Sequence, residues 1–153
     1  MDEVRQRYVE ELGLLFERFE LPRMAGRVLG VLLISEVPER PAEELADTLR
    51  ASRGSISTTT RMLERIWLIE RISKPGERRD YFRNKPGAWH DIVRRELESV
   101  SVMRRMAEEG LKILDSSDPE ARRGLEEMLD IYAFMERELP AVFARWEKES
   151  KER

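Results

Sequence analysis

The chain has 153 residues, of which 41% are hydrophobic and 39% are charged, with a formal net charge of −3 and no cysteine. This length and composition indicate one domain, or a core domain with helical extensions. The lack of cysteine excludes disulfides and thiolate metal sites, and no apolar run approaches the roughly 18 residues that a membrane span needs. We therefore expect a cytoplasmic protein without a membrane partner.

Two helices are predicted in the N-terminal region. A stripe of apolar residues from Val4 to Phe19 predicts an amphipathic helix over residues 3–19. Pro22 fits the first turn of a second helix, about residues 22–35, because the missing N–H of proline is harmless there. That second segment is apolar on nearly every side, which indicates a buried helix.

The middle of the chain predicts two short helices and a hairpin. Pro41 begins a helix whose first turn carries two acids, as the helix dipole favours. Ser52 is a suitable N-cap for the next helix, which we expect to run to about Ile66. The pattern then changes to alternation, which predicts strands at 68–73 and 80–83 joined by a turn at 74–79.

Long helices are predicted for the remainder. An apolar stripe spans Trp89 to Leu114, and residues 116–119 combine a helix cap with a first-turn proline, so a second long helix should start there. We expect Pro140 to kink or break this last helix, and the polar tail from Glu147 to Arg153 to fray.

Basic residues are concentrated in one segment of this acidic chain. Between Arg50 and Lys85 there are ten basic and four acidic residues, a net charge of +6, whereas the remainder carries −9. A basic module in an acidic frame suits DNA binding, because the frame repels the phosphate backbone everywhere except at one face.

Two short helices joined by a tight turn and followed by a hairpin predict a winged helix-turn-helix. The fold class is therefore mainly α with a small β-hairpin wing, and the DNA-binding domain at 22–86 is flanked by dimerisation helices at 1–21 and 87–153. The second short helix can enter the major groove, where base edges carry a unique pattern of donors and acceptors. The residues expected to contact DNA from that helix are Ser52, Arg53, Gly54, Ser55, Ser57, Thr58, Arg61 and Arg65. Those expected in the wing, beside the minor groove, are Lys74, Arg78 and Arg79.

Four motifs in order resemble the MarR family of winged-helix regulators, and most closely its GbsR-like branch. They are Glu44-Leu45-Ala46-x-x-Leu49, Ser52-x-Gly54-Ser55-Ile56-Ser57, Leu63-Glu64 and Gly76-Glu77-Arg78-Arg79-Asp80-Tyr81. The resemblance implies a homodimer that represses transcription by binding double-stranded DNA at an inverted-repeat operator, often released by a small-molecule effector. It also implies that Glu77, in place of the family's aspartate, orients Arg79.

The sequence departs from the family where Trp67 replaces the glycine that usually follows the recognition helix. A left-handed tryptophan would be strained by roughly 1–2 kcal/mol. We therefore expect the helix to end in another way.

Other signals leave alternatives open. Trp89, Met103, Met106 and Tyr132 are candidates for an apolar effector pocket, although their helical spacing favours core or dimer packing. No metal-ligand spacing, glycine-rich loop or nucleophile–base pair occurs, so we expect neither an enzyme nor a cofactor. The alternative to a DNA-binding regulator is a winged-helix protein-interaction module that does not bind DNA. A ligand-binding helical protein with a vestigial wing is a third hypothesis.

Overall fold

The computed structural model describes residues 1–114 and 118–152. Its elements in chain order are α1 (Glu3–Arg18), α2 (Arg23–Leu33), β1 (Arg40–Pro41), α3 (Ala42–Leu49), α4 (Arg53–Arg65), β2 (Ile69–Ser73), β3 (Asp80–Asn84), α5 (Ala88–Ile113) and α6 (Pro119–Lys151). The contacts divide the chain into two compact units, Met1–Trp89 and His90–Arg153. The fold is thus mainly helical with one small sheet, as the sequence predicted.

The first unit contains a winged helix-turn-helix to which α1 is added. Helices α2, α3 and α4 enclose a core whose fully buried side chains include Leu29, Leu45, Ile56 and Leu63. This core follows from the apolar stripes of the three helices, because each stripe must be covered by another element. The short helices α3 and α4 are thereby held at fixed positions on a rigid support.

The wing is an antiparallel hairpin of β2 and β3 in which Ser73 pairs with Asp80 and Ile69 with Asn84. Both strands lie within a residue of the predicted ranges. The sequence did not predict β1, which pairs with β3 and makes the sheet three-stranded in the order β1-β3-β2. A two-residue strand that includes a proline has no periodicity to detect.

Helices α1 and α2 cross at close range because of a glycine. A Cβ atom on Gly26 would lie 2.4 Å from the carbonyl oxygen of Leu12 and 2.8 Å from Cα of Gly13. Since no side chain fits there, the two backbones are in direct contact. The contact places α1 in the same compact unit as the winged helix.

Three helices of this unit end on a residue other than glycine in the left-handed conformation, namely Glu20, Arg50 and Trp67. At the end of α4 the N–H of Trp67 donates to the Glu64 carbonyl and that of Leu68 to the Leu63 carbonyl, both at 3.0 Å. This is the Schellman pattern, which satisfies the last carbonyls of the helix. The expectation that the helix avoids a left-handed Trp67 was therefore wrong.

The second unit contains most of α5 and the 33-residue helix α6. Asp118 caps α6 by accepting from the Glu120 N–H, with Pro119 in the first turn, as predicted. Ser116 and Ser117, the other part of that prediction, lie outside the described residues. The expected fraying from Glu147 was wrong, because the tail continues as helix to Lys151. Of the two effects expected at Pro140, the break does not occur, because α6 continues through this residue, and the kink stays a prediction. Pro140 is exposed, so water can solvate the carbonyl that its missing N–H frees.

Candidate nucleic-acid interface

Helix α4 has one face buried in the core and one polar face. Ile56, Thr59, Thr60 and Leu63 are buried. Of the residues that the sequence assigned to DNA contact, Ser55 is half-buried, and those that are exposed are Ser52, Arg53, Gly54, Ser57, Thr58, Arg61 and Arg65. Ser52 is the N-cap as predicted, and its Oγ accepts from the Ser55 N–H at 3.1 Å. The start of the helix is thus fixed, and its polar face is open to solvent.

Gly54 has no packing role in this helix. A Cβ atom added there would meet only Ser52 Oγ, at 3.9 Å. Glycine in a helix is destabilising by about 0.5–1 kcal/mol relative to alanine, and nothing in the fold requires it at this position. Its effect is to leave the backbone bare at the exposed end of α4, where a ligand could approach closely.

The arginines of α4 differ in how strongly they are held. Arg61 Nε donates to the Ser57 carbonyl at 3.1 Å, which lays its side chain along the helix. Arg53 lies 3.7 Å from a Glu43 carboxylate oxygen, but its side chain is 87% exposed, so the pair is weak. Arg65 makes no ion pair among the described residues. These three guanidinium groups are available to a polyanion.

In the wing loop one arginine contacts an acid and the other has no acidic partner among the described residues. Glu77 accepts a hydrogen bond from the Tyr81 hydroxyl, and one of its carboxylate oxygens lies 3.6 Å from Arg79 Nη2. The hydrogen bond to Glu77 raises the pKa of Tyr81. Arg78 is exposed and has no acidic partner in residues 1–114 and 118–152. Glu77 and Arg79 thus lie in contact, and the orienting role that the family resemblance implies for Glu77 stays a prediction.

Other cations of the basic segment are neutralised within the protein. Lys74 Nζ lies 2.9 Å from Glu39, whose hydrogen bond raises the pKa of Lys74. Arg71 lies between Glu64, at 3.0 Å, and Asp80, at 3.3 Å. Arg83 pairs in the same way with Glu70 and Glu39. The assignment of Lys74 to DNA contact is therefore less well supported than that of Arg78 and Arg79.

Arg50 is a candidate that the sequence reasoning counted as basic but did not assign to the site. It occupies the turn between α3 and α4 with a φ of 51°, is exposed, and makes no ion pair with any described residue. A cation two residues before the N-cap of the recognition helix is the signal that could have identified it.

The residues proposed for an effector pocket are placed as follows. Trp89 is exposed at the end of the first unit. In the second unit Met103 and Met106 are exposed on α5, and Tyr132 is half-buried on α6. A pocket formed by them stays a prediction.

The described part of the chain has neither a cluster of metal ligands nor a membrane-spanning helix. No group of three or more His, Cys, Asp or Glu residues within it could hold a metal ion. Among the same residues, no helix is both long enough and apolar enough to cross a membrane.

A helix-turn-helix with an exposed Ser/Thr/Arg face, followed by an arginine-bearing wing, defines a winged-helix transcription regulator. Comparison with known proteins gives the family. The chain is 38% identical over 145 residues to the HTH-type transcriptional regulator MmpR5 of Mycobacterium tuberculosis, covering 95% of this chain and 88% of that protein. A sequence model described as MmpR5-like MarR family transcriptional regulator matches residues 87–149. The chain belongs to this MmpR5-like MarR family.

The solved structure of a relative shows the same fold. The crystal structure of a transcriptional regulator, 38% identical, superposes with a TM-score of 0.75 over 94% of this chain and 98% of that one. A more distant likeness, 19% identical with a TM-score of 0.45, is to the S. aureus MepR–DNA complex, covering 83% of this chain and 91% of that one.

Proposed function

We propose that this MarR-family regulator is a homodimeric repressor that binds an inverted-repeat operator. Helix α4, predicted as residues 53–66, enters the major groove, and residues 74–80 of the wing lie along the adjacent minor groove. The observation that carries the proposal is the exposed face of α4, where Gly54 leaves the backbone bare and Arg61 and Arg65 have no acidic partner among the described residues. Such a face combines close approach to base edges with attraction to phosphates.

Apolar residues left exposed on the long helices support a dimer. They include Val4 on α1, 78% exposed, and Phe19 at the C-cap of α1, 68% exposed. On α6 they include Ile131, Phe134 and Val142. Monomeric soluble proteins rarely expose extended apolar stripes, so a second copy covering these helices is the economical explanation. In this proposal residues 22–86 bind DNA, and the flanking segments 1–21 and 87–153 form the dimer.

Three finer points belong to the same proposal. The protein acts in the cytoplasm, where its DNA is. A small apolar molecule releases it from DNA, and the residues predicted to bind it are Trp89, Met103, Met106 and Tyr132; both methionines are exposed. Membership of the GbsR-like branch is proposed from the amino-acid sequence of the four motifs alone.

The test is selection of duplexes from a random pool, followed by fluorescence anisotropy with the selected and a shuffled duplex at two salt concentrations. We expect an enriched inverted repeat with half-sites centred about 34 Å apart, bound in preference to the shuffled duplex and more weakly at high salt. Arg79→Ala should weaken binding, whereas Arg137→Ala, the loss of a similarly exposed arginine outside the basic segment, should not. No enrichment by folded protein, even at low salt, would refute the proposal in favour of a protein-interaction module.

A further inference from the structure

Arg27, in the middle of α2, contacts groups on two other helices. Its Nε donates to a carboxylate oxygen of Glu10 on α1 at 2.8 Å. Its Nη2 donates to the backbone carbonyl of Leu49, the last residue of α3, at 3.3 Å. The third nitrogen faces the sulfur of Met24 at 3.9 Å, and the side chain is only 22% exposed. A guanidinium presents its donors in a fixed planar fork, so it can bridge two acceptors in a defined geometry.

Helix α1 is shaped to hold this side chain. The second carboxylate oxygen of Glu10 accepts from Arg23 at 2.9 Å, so one acid holds two arginines that lie one turn apart on α2. Gly13 leaves room for their stems, because a Cβ atom there would lie 2.9 Å from Arg27 Cγ and 3.0 Å from Arg23 Cγ. Glu10 and Gly13 therefore form a seat for Arg23 and Arg27.

The carbonyl that Arg27 reaches lies at the turn of the helix-turn-helix. After Leu49 the chain reverses through the left-handed Arg50, and the Ala51 N–H donates back to the Ala46 carbonyl at 2.9 Å. Ser52, the next residue, caps α4. Carbonyls in the last turn of a helix have no partner within it and need a donor from elsewhere. Arg27 supplies one at the point from which the recognition helix departs.

We propose that Arg27 is a positioning residue for DNA recognition: anchored on α1 by Glu10, it fixes the turn before α4 and thereby the direction of the recognition helix. This inference rests on the proposed function of α4. Arg27 does not itself contact DNA, because its nitrogens face acceptors within the protein. When it is lost, the arginines of α4 still attract phosphates, but they no longer align with base edges, and base contacts carry the specificity.

The test compares two substitutions that remove the same charge from the same partner. Arg27→Gln loses both the Glu10 and the Leu49 contacts, whereas Arg23→Gln, the matched control, loses only a bond to Glu10. We expect Arg27→Gln to lower the ratio of affinities for the selected operator over the shuffled duplex by about tenfold, with an unchanged salt slope for the shuffled duplex. Arg23→Gln should keep the wild-type ratio. Amide hydrogen exchange at Ala51 should accelerate in Arg27→Gln alone.

The outcomes separate the possible roles. A parallel loss for both duplexes with a shallower salt slope would make Arg27 a phosphate contact and overturn the inference. Equal effects of Arg23→Gln and Arg27→Gln would reduce both residues to general α1–α2 stability and overturn it as well. If Arg27→Gln does not fold, Arg27→Lys, which keeps the charge but not the fork, takes its place. Wild-type protein without operator preference would instead refute the proposed function, and exchange at Ala51 would still decide whether Arg27 holds the turn.

Discussion

Substituting Arg78 and Arg71 separately tests whether the pairing seen in the structure decides which cations act on DNA. Both are arginines of the wing hairpin, and the sequence places Arg71 on a strand and Arg78 in the turn without showing which of them has an acidic partner. In the structure Arg78 is exposed without an acidic partner among the described residues, whereas Arg71 contacts Glu64 and Asp80 and lies over the Phe82 ring at 5.5 Å. The hydrogen bond to Glu64 raises the pKa of Arg71.

The expected magnitude follows from counterion release. Each phosphate that a cation neutralises contributes about 0.9 to the slope of log K against log salt, so Arg78→Ala in both subunits of a dimer should reduce the slope by about 1.8. Between 50 and 200 mM salt, such a reduction changes the ratio of affinities at the two concentrations by about tenfold. Arg71→Ala should leave the slope unchanged, and should instead lower the free energy of unfolding by about 1 kcal/mol, since its ion pairs are partly exposed.

The assay is fluorescence anisotropy with the selected operator at four or more salt concentrations, with urea unfolding of each variant alongside. The reasoning would be refuted if Arg71→Ala reduced the slope as much as Arg78→Ala does. In that case DNA phosphates would replace Glu64 and Asp80 as the partners of Arg71. The ion pairs of the free protein would then not predict which cations contact phosphate.

Three further outcomes are expected. Gly26→Ala should lower the free energy of unfolding by about 3 kcal/mol, because its Cβ would overlap the Leu12 carbonyl; urea unfolding measures this, and a loss below about 0.5 kcal/mol would show that α1 and α2 separate freely. Trp67→Gly should raise the stability by about 1 kcal/mol by relieving the left-handed backbone, and a lower melting temperature would instead show that the ring stabilises the fold. Glu77→Gln should bring the pKa of Tyr81 down towards the ordinary value near 10. Ultraviolet difference titration of the phenol measures this pKa. In the wild type the folded state holds the Tyr81 proton more tightly than the unfolded state does. The stability that the Tyr81–Glu77 hydrogen bond contributes is therefore present below the pKa of unfolded tyrosine and is lost as pH rises through the pKa of Tyr81 in the folded protein. An unchanged titration in Glu77→Gln would show that Glu77 does not bind the hydroxyl.

Much of the winged helix could be predicted because its signals are local. Ser52 as N-cap, the start of α3 after Pro41, and the two wing strands each depend on residues close in sequence. The polar face of α4 follows from helical spacing in the same way. These features need no knowledge of what packs against them.

The remaining features depend on contacts between distant residues. Glu39 neutralises Lys74 across 35 positions of sequence, which no count of charges can show. Trp67 in the left-handed conformation is tolerated because the Schellman bonds satisfy the end of α4, and Lys85 Nζ lies 4.1 Å from the centre of its exposed ring. Pro140 remains inside α6 although an interior proline costs about 3 kcal/mol, and its exposed position lets water solvate the carbonyl that it frees.

The internal pairing of Lys74, Arg71 and Arg83 has a consequence for how the protein searches a genome. Chromosomal DNA offers about 10⁶–10⁹ competing sites that attract a protein through phosphate charge alone. We expect cations already paired with Glu39, Glu64 and Glu70 to add little to that attraction. Less of the protein is then sequestered on irrelevant sequence, and fewer copies per cell suffice to keep one operator occupied.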